Sequence, residues 1–354
     1  MDFKKLLRGW YSVNKRDLPW RDITNPYHIW VSEVILQQTR VAQGIGYYYR
    51  FLNEFPTITS LALAKEDKVL KVWQGLGYYT RARNLQKAAV WLMTNSNGEL
   101  PKTYDSLLEI PGIGPYSAGA IASFAFGLAV PAIDGNVYRI VARIFGVFAS
   151  TASATGKKEF NDIVYEVMDK DNPAQFNQAL LDFGALQCTP RKPNCVTCPF
   201  NSVCYAYRNN TIESLPVKVM KGAVRSRFFV YLIVKYKDSI LMSKRTAKDI
   251  WHSLYEFPLI EVDDQKSLES FQNSTLWRKI FGKSGVYINK VSPVITHKLS
   301  HQTLNIMFVT LTASRLSQWA FRTYSFVSTN NVGDFSVPVV IDNYLAAEPL
   351  GEYL

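Results

Sequence analysis

The chain has 354 residues, 47% of them apolar and 19% charged, a balance that supports buried cores and excludes a disordered chain. The length corresponds to about two domains. Forty Lys and Arg against 29 Asp and Glu give a net charge of +11, of which +6 falls on residues 1–220 and +5 on residues 221–354. Such evenly spread basicity points either to a polyanionic partner, nucleic acid first, or to a basic surface with no such partner. Met1 to Trp20 carries charges throughout and has no apolar core, so no secretory signal is expected.

The first 210 or so residues read as helices. Tyr27 to Gln38 places Trp30, Val31, Val34 and Ile35 at helical spacing, and Leu61 to Trp73, Ala82 to Met93 and Phe160 to Met168 repeat the pattern. Gly75-Leu76-Gly77, Pro101, Gly112-Ile113-Gly114-Pro115 and Pro131 punctuate the connections. The longest uncharged stretch, Ile110 to Ile133, is long enough to span a bilayer. Its prolines and glycines instead predict a turn followed by one buried helix. Asp134 closes this apolar run and precedes a helix over Val137 to Phe145, the position of an N-cap; an acid there needs a partner or a task.

The polar stretch Tyr205 to Lys221, with Pro216, reads as a linker. Beyond it, Arg227 to Lys235 and Ser239 to Ser243 are β-branched and aromatic and joined across Lys237-Asp238, which predicts a hairpin. Leu304 to Leu311 reads as another strand and Lys266 to Phe281 as a helix, so the second domain is α/β. No fixed-period repeat is present.

All four cysteines, Cys188, Cys195, Cys198 and Cys204, fall within 17 residues. They are too few for a disulfide scaffold and suggest an intracellular metal site. Structural zinc sites usually pair two short Cys arms. Here there is one short arm, with loops of six and five residues on either side, which fits a cubane cluster better and leaves zinc as the alternative.

This cysteine spacing resembles the cluster loop of the endonuclease III superfamily of DNA glycosylases. The resemblance implies one 4Fe–4S cluster that is not the catalyst, held in a basic loop near DNA that here carries Arg191, Lys192 and Arg208. Leu107 to Ala120 resembles the helix–hairpin–helix of the same superfamily. Gly112 and Gly114 would let backbone amides approach an anion, a DNA phosphate, at the N-terminus of the next helix. Taken alone the segment is equally a Gly-Pro turn between core helices. The resemblance also implies a structural monovalent or divalent cation at this hairpin. It further implies that Asp134, with Asn136 beside it, faces the sugar and stabilises oxocarbenium-like charge. Tyr116 stands where strand-cutting members carry a Schiff-base lysine. A phenol cannot form that bond, so a monofunctional enzyme is expected; Lys102 and Lys157 lie outside the motif.

Trp30 to Arg40 (WVSEVILQQTR) resembles the signature of the adenine DNA glycosylase family, MutY type. Glu33 sits in an apolar helix, where desolvation would raise its pKa and let it protonate the departing adenine at N7. The alternative is a Glu paired with Arg81 or Arg83. Glu33 and Asp134 would then divide the labour as one protonated acid and one ionised stabiliser. The resemblance places Trp20, Arg21 and Gln178 in the base pocket. It places Gln74 to Tyr79 in a loop that wedges the duplex, with Gln38, Thr39, Leu76 and Tyr78 filling the gap left by base flipping. For any one of these residues core packing is the alternative; their joint order along the chain carries the reading.

Trp251 to Pro258 resembles a segment of the family's C-terminal domain, which is related to Nudix hydrolases. No Arg-Glu-x-x-Glu-Glu occurs in the chain, so no hydrolase activity is expected, and the domain would read 8-oxoguanine. His297-Lys298-Leu299-Ser300-His301 resembles the recognition loop: Ser300 and His301 match, while Leu299 departs from the family's phenylalanine. A metal pair is the alternative for His297 and His301.

The expected fold is therefore an all-α N-terminal part followed by an α/β Nudix-like domain. In it, residues 1–22 and 130–210 form an iron–sulfur cluster domain, residues 23–129 a six-helix barrel with helix–hairpin–helix, residues 211–223 a linker and residues 224–354 the Nudix-like domain. The expected activity is excision of adenine opposite 8-oxoguanine or guanine in base excision repair. The expected partner is double-stranded DNA holding such a mispair, with no membrane contact, by a monomer that is intracellular and, if bacterial, cytoplasmic and nucleoid-associated. The rivals are a thymine glycosylase for T·G pairs, which should lack the second domain, and a catalytically inactive iron–sulfur DNA-binding or redox-sensing protein. The presence of both Glu33 and Asp134 argues against the latter.

Overall fold

The computed structural model describes residues 2–217, 224–264, 266–282 and 285–348. They divide into two compact units, one built from residues up to 64 and from 80 to 217, the other from residues 65–79 and those from 224 onward.

The first unit is all helical, with α1 (Phe3–Asn14), α2 (Pro26–Leu36), α3 (Val41–Glu54), α4 (Ile58–Leu63), α6 (Thr80–Asn95), α7 (Tyr104–Leu108), α8 (Pro115–Phe126), α9 (Gly135–Phe145), α10 (Ala154–Val167), α11 (Pro173–Leu186) and α12 (Tyr205–Arg208); α5 (Glu66–Trp73) belongs to the second. Helices α2 and α8 pack on each other and are buried around most of their circumference, as expected of helices apolar on every face. Helix α2 starts on Asn25, whose side chain accepts from the amides of Tyr27 and His28 with Pro26 in the first turn. Helix α8 stops at Gly127, φ +66°, so Ile110 to Ile133 is the turn and buried helix that its glycines and prolines predicted. Among the described residues no helix is long and apolar enough to cross a membrane.

Two close approaches fix the path between these helices. A Cβ on Gly119 of α8 would lie 2.4 Å from the Pro131 carbonyl oxygen, and one on Gly184 of α11 would lie 2.5 Å from Cβ of Asn136. The chain entering and leaving Asp134 is therefore clamped between α8 and α11. Behind it, Phe3, Trp10, Val141, Phe160, Phe183 and Phe200 form a continuous core.

Three expected elements differ. Leu61 to Trp73 is not one helix: α4 ends at Leu63 and α5 begins at Glu66. The Tyr205–Lys221 linker packs on the helical unit at Leu215, which is buried; its residues from 218 on lie outside the described residues. Tyr205–Arg208 is helix α12, and Arg143 of α9 donates to the carbonyls of Ile212 and Leu215 at 3.2 and 3.1 Å. A buried guanidinium on a distant helix supplies order that local composition does not reveal. Lys266 to Phe281 is a 3-10 segment, Lys266–Asn273, followed by α13 (Thr275–Phe281); Ser274 caps α13 by accepting from the Trp277 amide, which restarts the helix.

The second unit adds β1 (Arg225–Tyr236), β2 (Ser239–Lys244), β3 (Tyr255–Glu256), β4 (Leu259–Val262), β5 (Val286–Val291), β6 (Ile295–Lys298), β7 (Gln302–Ala313), α14 (Gln318–Thr323), β8 (Ser325–Ser328) and α15 (Val339–Ala347). Strands β1 and β7 run parallel from Arg225↔Gln302 to Lys235↔Thr312 at the centre of a mixed sheet. Phe229 to Val234 is buried without a break, which is why that run reads as continuously apolar rather than alternating. The β1–β2 hairpin closes at Tyr236↔Ser239 as expected.

Helix α5 is held in this unit by side chains. Lys71 Nζ donates to the carbonyls of Gly333 and Phe335, Asp67 accepts from Lys244 Nζ at 2.6 Å and Tyr255 OH at 3.2 Å, and Gln74 accepts from the Val337 amide. The unit also holds a charge ladder in which Arg227 bridges Glu261 and Asp249, and Arg245 bridges Asp249 and Glu256.

Candidate active site

A cavity of about 550 Å³ opens in the helical unit. Its wall brings together nine of the residues singled out by sequence: Trp20, Arg21, Glu33, Gln38, Thr39, Tyr116, Asp134, Asn136 and Gln178. They come from the loop before α2, from α2 and its C-terminal turn, from the start of α8, from the α8–α9 junction and from α11.

Glu33 is 5% exposed, and Tyr116 OH donates to its Oε2 at 2.5 Å. Burial pushes the Glu33 carboxyl above the usual glutamate range, and the Tyr116 hydrogen bond and the Arg21 charge only partly offset it. Burial also holds the Tyr116 phenol well above its usual value. Asp134 is a different carboxylate. Its Oδ1 accepts from the amides of Asn136 and Val137 at 2.8 and 2.9 Å, and its Oδ2 from Asn136 Nδ2 at 2.7 Å. Burial raises its pKa and these three donors pull it back. The anion also sits at the N-cap of α9, where the helix dipole favours negative charge. Glu33 has one phenol for a donor where Asp134 has three, and in both residues burial outweighs the donors, so both carboxyls stay above their usual ranges.

Arg81 is not the partner of Glu33 that the sequence left open. Its Nη1 donates to the carbonyls of Val34, Ile35 and Gln37 at 2.9, 2.8 and 2.5 Å and thus caps the C-terminus of α2. The arginine whose charge reaches Glu33 is Arg21. Sequence reasoning passed over Arg81 in this role, Gln37, whose Nε2 donates to Ser117 Oγ, and Arg16 and Asp182 beside Arg21. Asp182 lies in the apolar run Ala179-Leu180-Leu181-Asp182-Phe183, the same signal that marked Glu33 and Asp134.

The remaining expected residues lie elsewhere. In the hairpin, Gly112 has φ +86° and a Cβ there would meet Asn84 Cβ at 2.9 Å, while a Cβ on Gly114, the N-cap of α8, would meet nothing within 4 Å. The first glycine is demanded by the backbone; the second leaves the helix start open. The four cysteines line one small cavity together with Arg143. Arg143 Nη1 approaches Cys188 Sγ at 3.6 Å, and burial pushes the Cys198 thiol to about 11. Among the described residues no trio of His, Cys, Asp or Glu converges on a single-ion site.

In the second unit, Tyr78 is 45% exposed with φ +48°, whereas Leu76 is 7% exposed. Leu299, Ser300 and His301 form the β6–β7 turn, which Leu299 closes by donating its amide to the Gln302 carbonyl. Ser300 and His301 are exposed, with Oγ and Nδ1 3.2 Å apart. His297 packs against Trp251, ring centres 5.9 Å apart.

The helical unit thus carries a buried pair of carboxylates in a cleft and a glycine hairpin, and its match to a family model places it in the base-excision class of DNA repair proteins. Residues 31–163 match the model of the HhH-GPD superfamily of base excision DNA repair proteins, and residues 229–347 match a NUDIX domain. The chain is 32% identical to the adenine DNA glycosylase of Buchnera aphidicola subsp. Schizaphis graminum over 97% of both chains. The chain belongs to the adenine DNA glycosylase family. Among solved structures, a thermostable thymine-DNA glycosylase superposes with a TM-score of 0.55 at 25% identity. It covers 95% of its own length and only 58% of this chain, as expected of a protein without the second unit. A trapped endonuclease III–DNA covalent intermediate gives a TM-score of 0.51 at 22% identity, over 58% of this chain and 96% of its own. This second likeness is one of fold.

Proposed function

We propose that the chain is a monofunctional adenine DNA glycosylase that acts on double-stranded DNA and removes adenine opposite 8-oxoguanine or guanine. The observation that carries this reading is the cavity wall shared by Glu33, Tyr116 and Asp134. A flipped nucleotide entering it meets Trp20, Arg21 and Gln178 on its base and the two carboxylates about its glycosidic bond. Glu33 gives its proton to the adenine ring as the C1′–N9 bond breaks and the electron pair leaves with the base. Asp134, ionised, offsets the positive charge that develops on the sugar, with Asn136 fixing its second oxygen. Water then adds to C1′, its proton passing to the Glu33 carboxylate, which restores the acid and leaves an abasic site. Tyr116 provides no amine for a Schiff base, so the strand stays intact.

Cys188, Cys195, Cys198 and Cys204 would hold one 4Fe–4S cluster. Four soft thiolates around one cavity, with a guanidinium at one sulfur, are a donor set suited to it. When bound, the cluster supplies closure of the basic loop that carries Arg191 and Lys192. A structural cation at the Gly112–Gly114 hairpin would be held by backbone carbonyls, and the open N-terminus of α8 would face a DNA phosphate. Gln38, Leu76 and Tyr78 would fill the gap left in the stack by the base, and Thr39 would support the α2 turn. Leu299, Ser300 and His301 would contact the opposite base. The protein would act as a monomer and be intracellular and, if bacterial, cytoplasmic and nucleoid-associated.

The test is a set of duplexes with A opposite 8-oxoguanine, A opposite G and T opposite G, assayed with and without alkali. Alkali-dependent cleavage of the A strand alone is expected. Cleavage of the T strand alone would sink the adenine reading, and scission without alkali would sink the monofunctional one.

A further inference from the structure

Asp182 is the most completely buried acid near the cavity, at 0% exposure, and it does not itself line the wall. Its Oδ1 accepts from Arg16 Nε at 2.8 Å, Arg16 Nη2 at 2.6 Å and Arg21 Nη2 at 2.6 Å, and its Oδ2 from the Arg16 amide at 3.2 Å. Both arginines line the cavity. One carboxylate against two guanidiniums leaves one positive charge uncompensated on the pocket wall. Arg21 lines the cavity while its Nε is buried with no hydrogen-bond partner among the described residues, so Asp182 leaves the donors of this guanidinium incompletely satisfied at the pocket wall. Gln178, which lines the cavity and accepts from Tyr11 OH at 3.3 Å, lies one turn before Asp182 on α11 and so on the same helix face.

We propose that Asp182 is a positioning residue for base excision: by gathering Arg16 and Arg21 on one oxygen it fixes the cationic side of the base pocket and holds Arg21 ready to pair a ring acceptor of the extruded base. This rests on the reading of the cavity as the base pocket. The groups that face Glu33 are Tyr116 from α8, Arg21 from the loop before α2 and Asp134 from the α8–α9 junction, with Arg81 of α6 at the end of its helix. Of these, Arg21 is the one whose net field Asp182 sets. Removing the Asp182 charge makes the pocket more positive, removing the Arg21 charge makes it less so, and the two changes act on the Glu33 proton in opposite directions.

The experiment uses the full chain with an A·8-oxoguanine duplex in single turnover across pH, beside affinity for a non-cleavable adenine analogue. Asp182→Asn should lower the rate of excision by about 100-fold, the loss typical of ångström-scale misplacement. It should also move the alkaline limb of the rate profile to lower pH and leave duplex affinity within a few-fold. Arg21→Gln should move that limb to higher pH. A folded Asp182→Asn with an unchanged rate and limb overturns the proposal, as does a slow variant whose limb stays in place, since that loss is merely structural. If Asp182→Asn does not fold, the proposal rests on Arg21→Gln alone, and an unshifted limb there overturns it. Failure of wild-type protein to excise adenine would instead overturn the reading beneath it.

Discussion

Tyr116 OH points its hydrogen at Glu33 Oε2, 2.5 Å away, with both side chains buried. In the proposed mechanism the contact joins the residue that stands in place of a Schiff-base lysine to the residue that would carry a proton. A lysine in that place would bring a cation next to Glu33 and favour its anion; a phenol donates one hydrogen bond and leaves desolvation dominant. Tyr116→Phe removes the bond that lowers the Glu33 pKa. The alkaline limb of adenine excision should move to higher pH, with a rate loss of about ten-fold or less near neutrality. Single-turnover rates across pH check this; a limb moving the other way would mean that the phenol acts on another group.

Glu33→Gln should cost roughly 10²–10⁴ in excision rate, the range of a lost general acid, with duplex binding retained. The same change should help the fold. The folded pKa of Glu33 is raised, so its contribution to stability is fully present below the unfolded carboxyl value of about 4.3 and is lost as pH rises through the folded value. The glutamine has no such titration. The Tm advantage of Glu33→Gln should therefore grow from acid to neutral pH, and a constant difference would contradict the burial argument.

Asp134 separates chemistry from capping. Asparagine is as good an N-cap as aspartate, so Asp134→Asn should keep α9 and, because burial raises the Asp134 pKa as it does that of Glu33, hold or gain Tm toward neutral pH, while removing the anion that the proposed mechanism sets beside the sugar. Excision should fall by at least about 100-fold, the scale of one lost electrostatic stabiliser. Asp134→Ala should lose the same activity and, in addition, about 1 kcal/mol of stability for the missing cap. Equal stability of the two variants would mean that the cap bonds at 2.8 and 2.9 Å contribute little.

Both carboxylates were legible in sequence because an acid in an apolar run is chemically conspicuous. Asp182 carried the same signal, and what hid it was that its partners Arg16 and Arg21 stand more than 160 positions away. The apolar strand Phe229 to Val234 and the hairpin after it were readable from local pattern alone. The division of Leu61 to Trp73, and the placement of α5 with the α/β unit through Asp67, Lys71 and Gln74, were not. They depend on partners at Lys244, Phe335 and Val337 that no local window contains. Leu76 illustrates the same limit: a motif places it in a wedge, but only packing says that it is buried.

In the proposed reading the β6–β7 turn contacts the base opposite the adenine. Leu299→Ala with Ser300→Ala removes the half-buried apolar side chain and the exposed hydroxyl while leaving the turn bond from the Leu299 amide to the Gln302 carbonyl. The preference for A·8-oxoguanine over A·G should shrink by about ten-fold or more, one polar contact being worth on the order of 1–2 kcal/mol. The rate on A·G should hold. If both rates fall together, the turn grips DNA without reading the lesion.

Arg143 governs the cysteine loop. Besides Cys188 Sγ, it donates to the carbonyls of Thr189 at 2.7 Å, Pro190 at 3.2 Å, Ile212 at 3.2 Å and Leu215 at 3.1 Å. A buried guanidinium bonded to four carbonyls ties both flanks of the cysteine loop to α9. Arg143→Met strands those carbonyls at a cost on the order of 3 kcal/mol. Arg143→Lys reaches at most one flank, because a single ammonium cannot reproduce the planar fork. Both variants should bind less iron per chain and lose Tm, methionine more than lysine, whereas Cys198→Ala should lose iron with the Arg143 bonds intact. Comparing iron content with Tm across the three separates the two contributions. If Arg143→Met keeps full iron and full stability, the loop is organised by the thiolates alone.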